Sequence, residues 1–357
     1  MPAITSYIQQ YKERYFIRNI GFSSLFENFF VFAILAILGI RIFLEFTGYP
    51  TLGGGGLHIA HMLWGGGLML AAIILLLTFL GRSTTRCAAV LAGLGFGTFI
   101  DELGKFLTRD NNYFFQPTFA LIYVIFVLLY VLFYSFGKYW KFSKKEYLIN
   151  SLDYMKEAVI NDLDSEEKKL AIHCLSLSDK RSPITETIRN LYKQIDAVPL
   201  PTPNLFSRIK KYFTGLYFRL ISKKWFSKTV TVFFIIDFLA SSLLIIASIV
   251  LVWAIISSNE ITTKELYDNS LDILNLFAST ISGLFVIIGV LKMRKSRLDA
   301  YKMFKKSLLI SILLVQFFSF YKEQLHAFTG LLLNILILTA LNYMIEQEET
   351  VVQRYSG

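Results

Sequence analysis

Two histidines and two acidic residues are the side chains of this sequence best suited to chemistry. His58 and His61 lie three residues apart, so in a helix they share one face. Asp101 and Glu102 are adjacent further along the chain. Imidazole nitrogens and carboxylates together can hold a divalent metal such as zinc, and a carboxylate can act as a general base. The sequence therefore predicts a pocket with His58 and His61 as candidate metal ligands and Asp101 or Glu102 as candidate catalytic base.

The same histidines fit two other roles. Without a metal they can form hydrogen bonds or take up a proton near neutral pH. They can also serve only to pack helices together, because Gly65 continues the face of His61. These roles stay open beside metal binding, so the pattern requires no cofactor and zinc is one alternative.

Asp101 lies on a helix face lined with small residues. Ala89, Gly93 and Gly97 precede it at intervals of four, and Lys105 follows at the same interval. Small side chains at this spacing let two helices approach closely in a membrane. The pattern therefore predicts that Asp101 faces a neighbouring helix rather than lipid, with the two histidines as its nearest candidate partners.

Helices that cross a membrane must position these residues. Of the 357 residues, 54% are hydrophobic and 17% are charged, against about 45–50% and about 25% in soluble domains. The hydrophobic residues form blocks of about 18–25 residues, the length that a helix needs to cross the hydrocarbon core. The blocks are apolar on all sides, unlike the alternating strands of a membrane barrel. We therefore expect an all-α, polytopic helical membrane protein with about eight transmembrane helices.

The hydrophobic blocks fall into two groups. The predicted fold has two four-helix membrane modules separated by a small cytoplasmic helical insert, which Pro199, Pro201 and Pro203 end as a stiff linker. A basic, aromatic segment follows and is typical of an amphipathic helix in the headgroup layer. The predicted order is an N-terminal interfacial segment (1–28), the first module (29–137), the insert with its linker (138–203), the interfacial helix (204–228), the second module (229–346) and a cytoplasmic tail (347–357).

Basic residues are concentrated in alternate loops of the predicted topology. The net charge is +10, and the lysines and arginines cluster in the N-terminal segment, residues 82–86, residues 137–228 and residues 292–306. Because cytoplasmic loops carry the excess of Lys and Arg, both termini are expected in the cytoplasm of a cell-membrane protein. Membrane lipid is the expected partner, and nucleic acid is not, since no recognition motif is present. Residues 138–200 are a candidate surface for a protein partner.

This orientation brings the polar residues of the first three spans to one outer level. They are Arg41 and Glu45 in the first span, His58 and His61 in the second, and Asp101, Glu102 and Lys105 in the third. An ionisable side chain in a span is costly, so it marks a functional site by default. We therefore expect an outward-facing pocket in which Arg41, Glu45 and Lys105 contribute to ligand binding.

The arrangement over residues 25–137 resembles a known family. The shared features are a histidine that opens a span, a glycine in the next span, an acidic pair, a polar residue and an Arg-Asp segment. Here they are His58 or His61, Gly97, Asp101 with Glu102, Lys105, and Arg109 with Asp110. This stretch looks like the VanZ-like membrane proteins. The resemblance implies a role at the cell envelope and adds Arg109 and Asp110 to the candidate ligand-binding residues.

Three functions fit the predicted pocket. The first is binding of a lipid headgroup, an envelope precursor or a cation. The second is metal-dependent hydrolysis of a lipid amide or ester in the membrane, with Asp101 or Glu102 as base and the histidines, including His326, as ligands. The third is ion- or proton-coupled transport through Asp101 and Glu102. The sequence leaves the choice among them open.

Overall fold

A computed structural model shows the described part of the chain to be helical. The described residues are 16–48, 60–107, 115, 117–139, 142–199, 205–223, 225–226, 228–236, 239, 243, 246, 250, 253 and 270–356. The predicted site residues His58, Arg109 and Asp110 lie outside these ranges, as does most of the predicted span at 229–256. Within the described ranges there is no strand, only an isolated bridge between Asp164 and Val198.

The described helices are numbered here in chain order. They are α1 (Phe22–Thr47), α2 (His61–Thr78), α3 (Arg82–Asp101), α4 (Leu103–Leu107), α5 (Pro117–Tyr139), α6 (Lys144–Val159), α7 (Ser165–Leu177), α8 (Pro183–Gln194), α9 (Leu205–Ile221), α10 (Ser270–Met293), α11 (Arg297–Ile310), α12 (Gln316–Glu323) and α13 (Ala327–Ser356). A π-helical turn, Ser311–Val315, joins α11 to α12, and a 3-10 turn, Gln324–His326, joins α12 to α13.

Six described helical stretches are long and apolar enough to cross a membrane. They are Phe22–Thr47, His61–Thr78, Arg82–Lys105, Pro117–Phe136, Leu271–Met293 and Arg297–Glu349. The predicted all-α fold is therefore confirmed for the described residues, and six of the helical stretches have the length and composition of membrane spans. The number of eight spans and their division into two modules of four stay predictions.

The last of these stretches folds back on itself. Near the turn, the Gln316 side-chain amide donates to the Ala327 carbonyl at 2.6 Å. Far from the turn, Lys302 Nζ lies 2.8 Å from Glu349 Oε1. The reversal occurs at Gln324, whose φ of 51° is in the left-handed region. This stretch is therefore a helical hairpin, with α11 and α12 as one arm and α13 as the other.

The chain divides into two compact units. The first comprises Met1–Tyr113 and Leu128–Thr202, and the second comprises Phe114–Val127 and Pro203–Gly357. The predicted insert thus lies in the same unit as α1, α2 and α3, and the sequence of α5 is shared between the two units.

Helices α6, α7 and α8 form the insert of the first unit, and local sequence fixes where each begins. The Ser143 hydroxyl accepts from the Glu146 amide at 3.2 Å while Glu146 accepts from the Ser143 amide at 2.8 Å, a reciprocal cap at the start of α6. Asp164 caps α7, and Pro183 occupies the first turn of α8. The core of the insert is formed by Tyr154, Leu163, Ala171, Leu175, Ile188 and Tyr192.

A core of the second unit combines residues of α10, α11 and α13 with Val230 and Phe234. The rings of Phe234 and Phe304 stack with their centroids 4.2 Å apart. The basic segment at residues 292–306, expected between two spans, contains the start of α11, and its Ala300, Tyr301 and Phe304 are buried. The lysines of this segment therefore flank a helix face that is part of the core.

Candidate functional site

Helix α3 packs against α1 through two of the glycines on the Asp101 stripe. A Cβ atom at Gly93 would overlap the Phe29 carbonyl, and one at Gly97 would overlap the Ala33 carbonyl. The residue numbers of the contacting pairs increase together along the two helices, so α1 and α3 run parallel. The predicted close approach on this face is confirmed, and the packing leads directly to Asp101 at the end of α3.

The opposite face of α3 packs against α2. A Cβ atom at Gly95 would lie 2.7 Å from the Gly65 carbonyl oxygen, and one at Gly65 would lie 2.6 Å from the Phe99 amide nitrogen. The Cβ atom at Gly95 would also lie 2.8 Å from the Met69 amide nitrogen. Residue numbers in the contacting pairs run in opposite directions, so α2 is antiparallel to α3. The end of α1, the start of α2 and the end of α3 therefore meet at one end of the first unit.

Arg41 and Asp101 form a buried ion pair at this meeting point. Arg41 Nε donates to Asp101 Oδ1 at 2.6 Å, and Arg41 Nη2 donates to the Asp101 carbonyl oxygen at 2.9 Å. The side chains are 6% and 0% exposed. One guanidinium thus neutralises the carboxylate and also donates to a backbone carbonyl at the end of α3, where intrahelical donors run out.

His61 lies between the two carboxylates. Its Nε2 is 3.3 Å from Asp101 Oδ2, and its Nδ1 is 3.7 Å from Glu102 Oε2. The predicted approach of a histidine to Asp101 is therefore present for His61. Each ring nitrogen therefore faces a carboxylate oxygen of a different residue.

Glu102 holds the start of α2 in place. Its Oε2 accepts from the Met62 amide at 3.0 Å, and its Oε1 is paired with Lys105 Nζ. The residue before α2 is Ala60, which has no side-chain oxygen to cap the helix. A carboxylate at a helix N-terminus is stabilised by the exposed amides and by the helix dipole. Glu102 therefore supplies from α3 the cap that the sequence before α2 lacks.

The five residues Arg41, His61, Asp101, Glu102 and Lys105, here called the charged cluster, differ in exposure. The carboxylate side chains of Asp101 and Glu102 are 0% exposed, whereas His61 and Lys105 are 21% and 23% exposed. Two cations balance two carboxylates when His61 is neutral. The solvent-exposed part of the cluster is therefore basic, and its two carboxylates are enclosed.

Not every predicted site residue belongs to the charged cluster. Glu45 is exposed, one turn beyond Arg41 on α1. His326, considered as a third histidine ligand, is exposed in the 3-10 turn of the second unit. His58, Arg109 and Asp110 lie outside the described residues.

The described members of the cluster do not make a metal site by themselves. Among the residues that the structure describes, no group of three or more His, Cys, Asp or Glu side chains is arranged to hold a metal ion. Asp101 is engaged by Arg41, and Glu102 is engaged by Lys105 and by the Met62 amide. A zinc ion would have to displace these donors, so the predicted zinc site stays a prediction that depends on His58.

Sequence reasoning found all five cluster residues but missed two of their contacts. Neither the cap that Glu102 provides for α2 nor the bond from Arg41 to the Asp101 carbonyl was expected. Ala60 before His61 was the available signal, because the first amides of a helix that begins without a capping residue need an acceptor from elsewhere.

No protein-family model matches the chain, and no match was found among curated proteins or solved structures. The resemblance to VanZ-like membrane proteins therefore stays a prediction that rests on the residues themselves.

Proposed function

We propose that this chain is a multi-pass protein of the cell membrane that binds a phosphate-bearing headgroup, of a lipid or an envelope precursor, at the charged cluster. The observation that carries the proposal is the difference in exposure within the cluster. A ligand that arrives from the surface meets Lys105 and His61, which are partly exposed, before it meets either carboxylate. Ammonium and imidazole donors recognise anions, and phosphate accepts strong hydrogen bonds from both.

The enclosed carboxylates support this function by fixing the donors. Glu102 orients Lys105, and Asp101 and Glu102 lie on either side of the His61 ring. Protonation of His61 would leave the cluster with one net positive charge, which an anionic headgroup would balance. Side chains that are held before the ligand arrives lose less conformational entropy on binding.

The other predicted functions have less support from the same contacts. A cation ligand would need an accessible carboxylate, and both carboxylates are buried against cations already. The same pairing opposes a general-base role for Asp101 or Glu102 in a hydrolase. For a transporter, an ion would have to reach Asp101, whose side chain is 0% exposed and already paired with Arg41.

The headgroup proposal is tested by lipid binding to the purified protein. Titration with phosphatidylglycerol and with diacylglycerol, followed by native mass spectrometry, compares two lipids that differ in the phosphate. We expect binding of the phospholipid to exceed that of diacylglycerol. Because a hydrogen bond to a charged group contributes about 1.5–3 kcal/mol, Lys105→Gln should weaken phospholipid binding by about tenfold or more.

Lys302→Gln is the matched control, since Lys302 is also paired with a glutamate but belongs to the second unit. It should leave phospholipid binding unchanged. Equal binding of the two lipids, or an equal effect of the two lysine substitutions, would rule out a phosphate site at the charged cluster. Competition by glycerol phosphate separates a free phosphate ligand from a complete lipid.

A further inference from the structure

Helix α6 contacts the residues that lead into α1. Arg18 donates to both carboxylate oxygens of Glu146, from Nε and from Nη2, at 2.8 Å each. The Ile20 amide donates to Asn150 Oδ1 at 2.7 Å, and Asn150 Nδ2 donates back to the Arg18 carbonyl at 2.8 Å. The first half of α6 is thereby fixed beside the start of α1.

The second half of α6 contacts the turn between α2 and α3. Lys156 Nζ donates to the Leu80 carbonyl at 3.1 Å, and the Arg82 amide donates to Glu157 Oε1 at 3.1 Å. The Arg82 guanidinium also lies over the Tyr154 ring, 3.7 Å from its centroid. The end of α2 and the start of α3 are therefore held by the same helix that holds the start of α1.

These contacts set the direction of α6. Because α1 and α3 are parallel and α2 is antiparallel to α3, the three contacted ends lie on the same side of the first unit, opposite the charged cluster. Glu146 and Glu157 are about 16 Å apart, because a helix rises about 1.5 Å per residue. Packed helices lie about 8–10 Å apart, so this length is enough to reach from the start of α1 to the turn between α2 and α3. Helix α6 thus runs across the ends of the membrane helices and not along their axes.

A different face of α6 remains on the surface. Its apolar members are exposed by 38% at Ile149, 42% at Leu152, 78% at Val159 and 63% at Ile160, just past the end of the helix. Lys156 is paired with Asp153 on the same helix, with 2.5 Å between Nζ and Oδ1. Exposed apolar side chains on one face of an otherwise polar helix are typical of helices that lie in the headgroup layer.

We propose that α6 is an interfacial helix whose outer face, formed by Ile149, Leu152, Val159 and Ile160, is immersed in the phospholipid headgroup layer. The contact from Lys156 to the Leu80 carbonyl sets the depth of α6 in the membrane. Leu80 follows the end of a membrane-spanning helix and is itself 80% exposed. The apolar surface at Val159 and Ile160 therefore continues the lipid-facing surface of α2. The Lys156 ammonium is held at this depth by the Leu80 carbonyl and by Asp153, while its stem stays among apolar groups.

Spin labels on the full-length protein in phospholipid vesicles test this placement. The labelled sites are Ile160→Cys in the outer face, Leu80→Cys as the lipid reference, and Lys180→Cys in the exposed loop between α7 and α8 as the aqueous reference. The background is Cys87→Ser, because Cys87 is exposed and the thiol of Cys174 is buried. The measurement is the ratio of collisions with oxygen, which partitions into lipid, to collisions with a water-soluble nickel chelate.

We expect the collision ratio at residue 160 to match that at residue 80 and to exceed that at residue 180 severalfold. A ratio at residue 160 that matches residue 180 would overturn the proposal and would mark the outer face as a surface for a soluble protein partner. The substituted side chains are exposed, so the variants should fold as the parent protein does. The charged cluster is at the other end of the unit, so this test is independent of headgroup binding there.

Discussion

At the residue scale, two adjacent acidic residues have different partners. Side chains of neighbouring helical residues point about 100° apart. Asp101 is therefore directed at Arg41 of α1, while Glu102 reaches the Met62 amide at the start of α2. Each carboxylate has its own cation, Arg41 for Asp101 and Lys105 for Glu102. This pairing makes it possible to bury both charges without placing one beside the other.

Arg41→Gln should destabilise the first unit, because it leaves the Asp101 carboxylate buried without its cation. Removal of one partner from a buried pair costs about 3–5 kcal/mol. The measurement is denaturant unfolding of the purified protein in detergent, compared with the parent chain.

The double variant Arg41→Gln with Asp101→Asn is the control for this pair. It removes both charges, so part of the lost stability should return. If the double variant loses as much stability as the two single variants together, then Arg41 and Asp101 do not stabilise each other.

At the element scale, glycine positions decide how closely α1, α2 and α3 approach. Gly93 and Gly97 face α1, whereas Gly95 faces α2, so alternate glycines of one helix serve two neighbours. The cluster depends on this spacing, because the Arg41 side chain reaches Asp101 only when the α1 and α3 backbones are in contact. The glycines therefore position the charged cluster by setting the distance between the helices.

Gly97→Val should push α1 away from α3 and weaken the ion pair between Arg41 and Asp101. Overpacking a close contact costs about 1–3 kcal/mol, and the loss of the pair adds to it. Gly67→Ala is the matched control, since a Cβ atom at Gly67 would meet nothing within 4 Å. It should be neutral or stabilising by up to about 1 kcal/mol. Thermal unfolding of both variants checks this, and equal effects would show that the α1–α3 contact is not tight.

Contact between α6 and the start of α1 should depend on pH through Glu146. Burial acts to raise the pKa of Glu146, but hydrogen bonds from Arg18 and Ser143 and the charge of Arg18 outweigh it and hold the pKa at about 2, against an ordinary value of 4.5. A depressed pKa means that the carboxylate stabilises the folded state above the ordinary value. That contribution is lost as pH falls from 4.5 through about 2.

Hydrogen exchange of α6 as a function of pH measures this loss. Exchange protection, corrected for the intrinsic pH dependence, should fall between pH 4.5 and about 2 in the parent chain. In Glu146→Gln the protection should be lower at neutral pH and should change less over this range. The same acid dependence in both chains would show that another group controls the contact.

At the scale of the whole molecule, the first unit places two kinds of polar contact at opposite ends of its membrane helices. The charged cluster lies at one end, and the contacts of α6 with Arg18, Leu80 and Arg82 lie at the other. Helix α1 has 26 residues and connects the two ends, which corresponds to about 39 Å. This length exceeds the hydrocarbon core of about 30 Å, so each end can lie near a different membrane surface.

The orientation predicted from loop charge places the charged cluster outside the cell and α6 inside. A reporter fused after Lys145 should therefore be active only as a cytoplasmic fusion, and one fused after Gly48 should be active only as an external fusion. An external signal at Lys145 would reverse the orientation, and the headgroup ligand would then be bound from the cytoplasmic side.

The insert shows that apolar spacing can predict a helix without predicting which of its faces is buried. The spacing of Leu148, Leu152, Met155 and Val159 predicts a helix, and α6 is present there. However, Leu152 and Val159 are exposed, whereas Glu146 and Glu157 are buried. The buried face is chosen by the neighbouring segments, which here present arginine side chains and backbone amides that donate to Asn150 and Glu157.

The sequence by itself determined the membrane helices, because a long apolar block has one stable conformation in lipid and its backbone bonds are internal. It also determined that Asp101 faces a neighbouring helix, since the stripe of Gly93 and Gly97 allows close approach. Only the tertiary structure decided the partners of each charge, the cap that Glu102 provides for α2, and the placement of α6 across the helix ends. Those contacts join residues far apart in the chain, and their geometry depends on the distances and angles between packed helices, which local spacing does not encode.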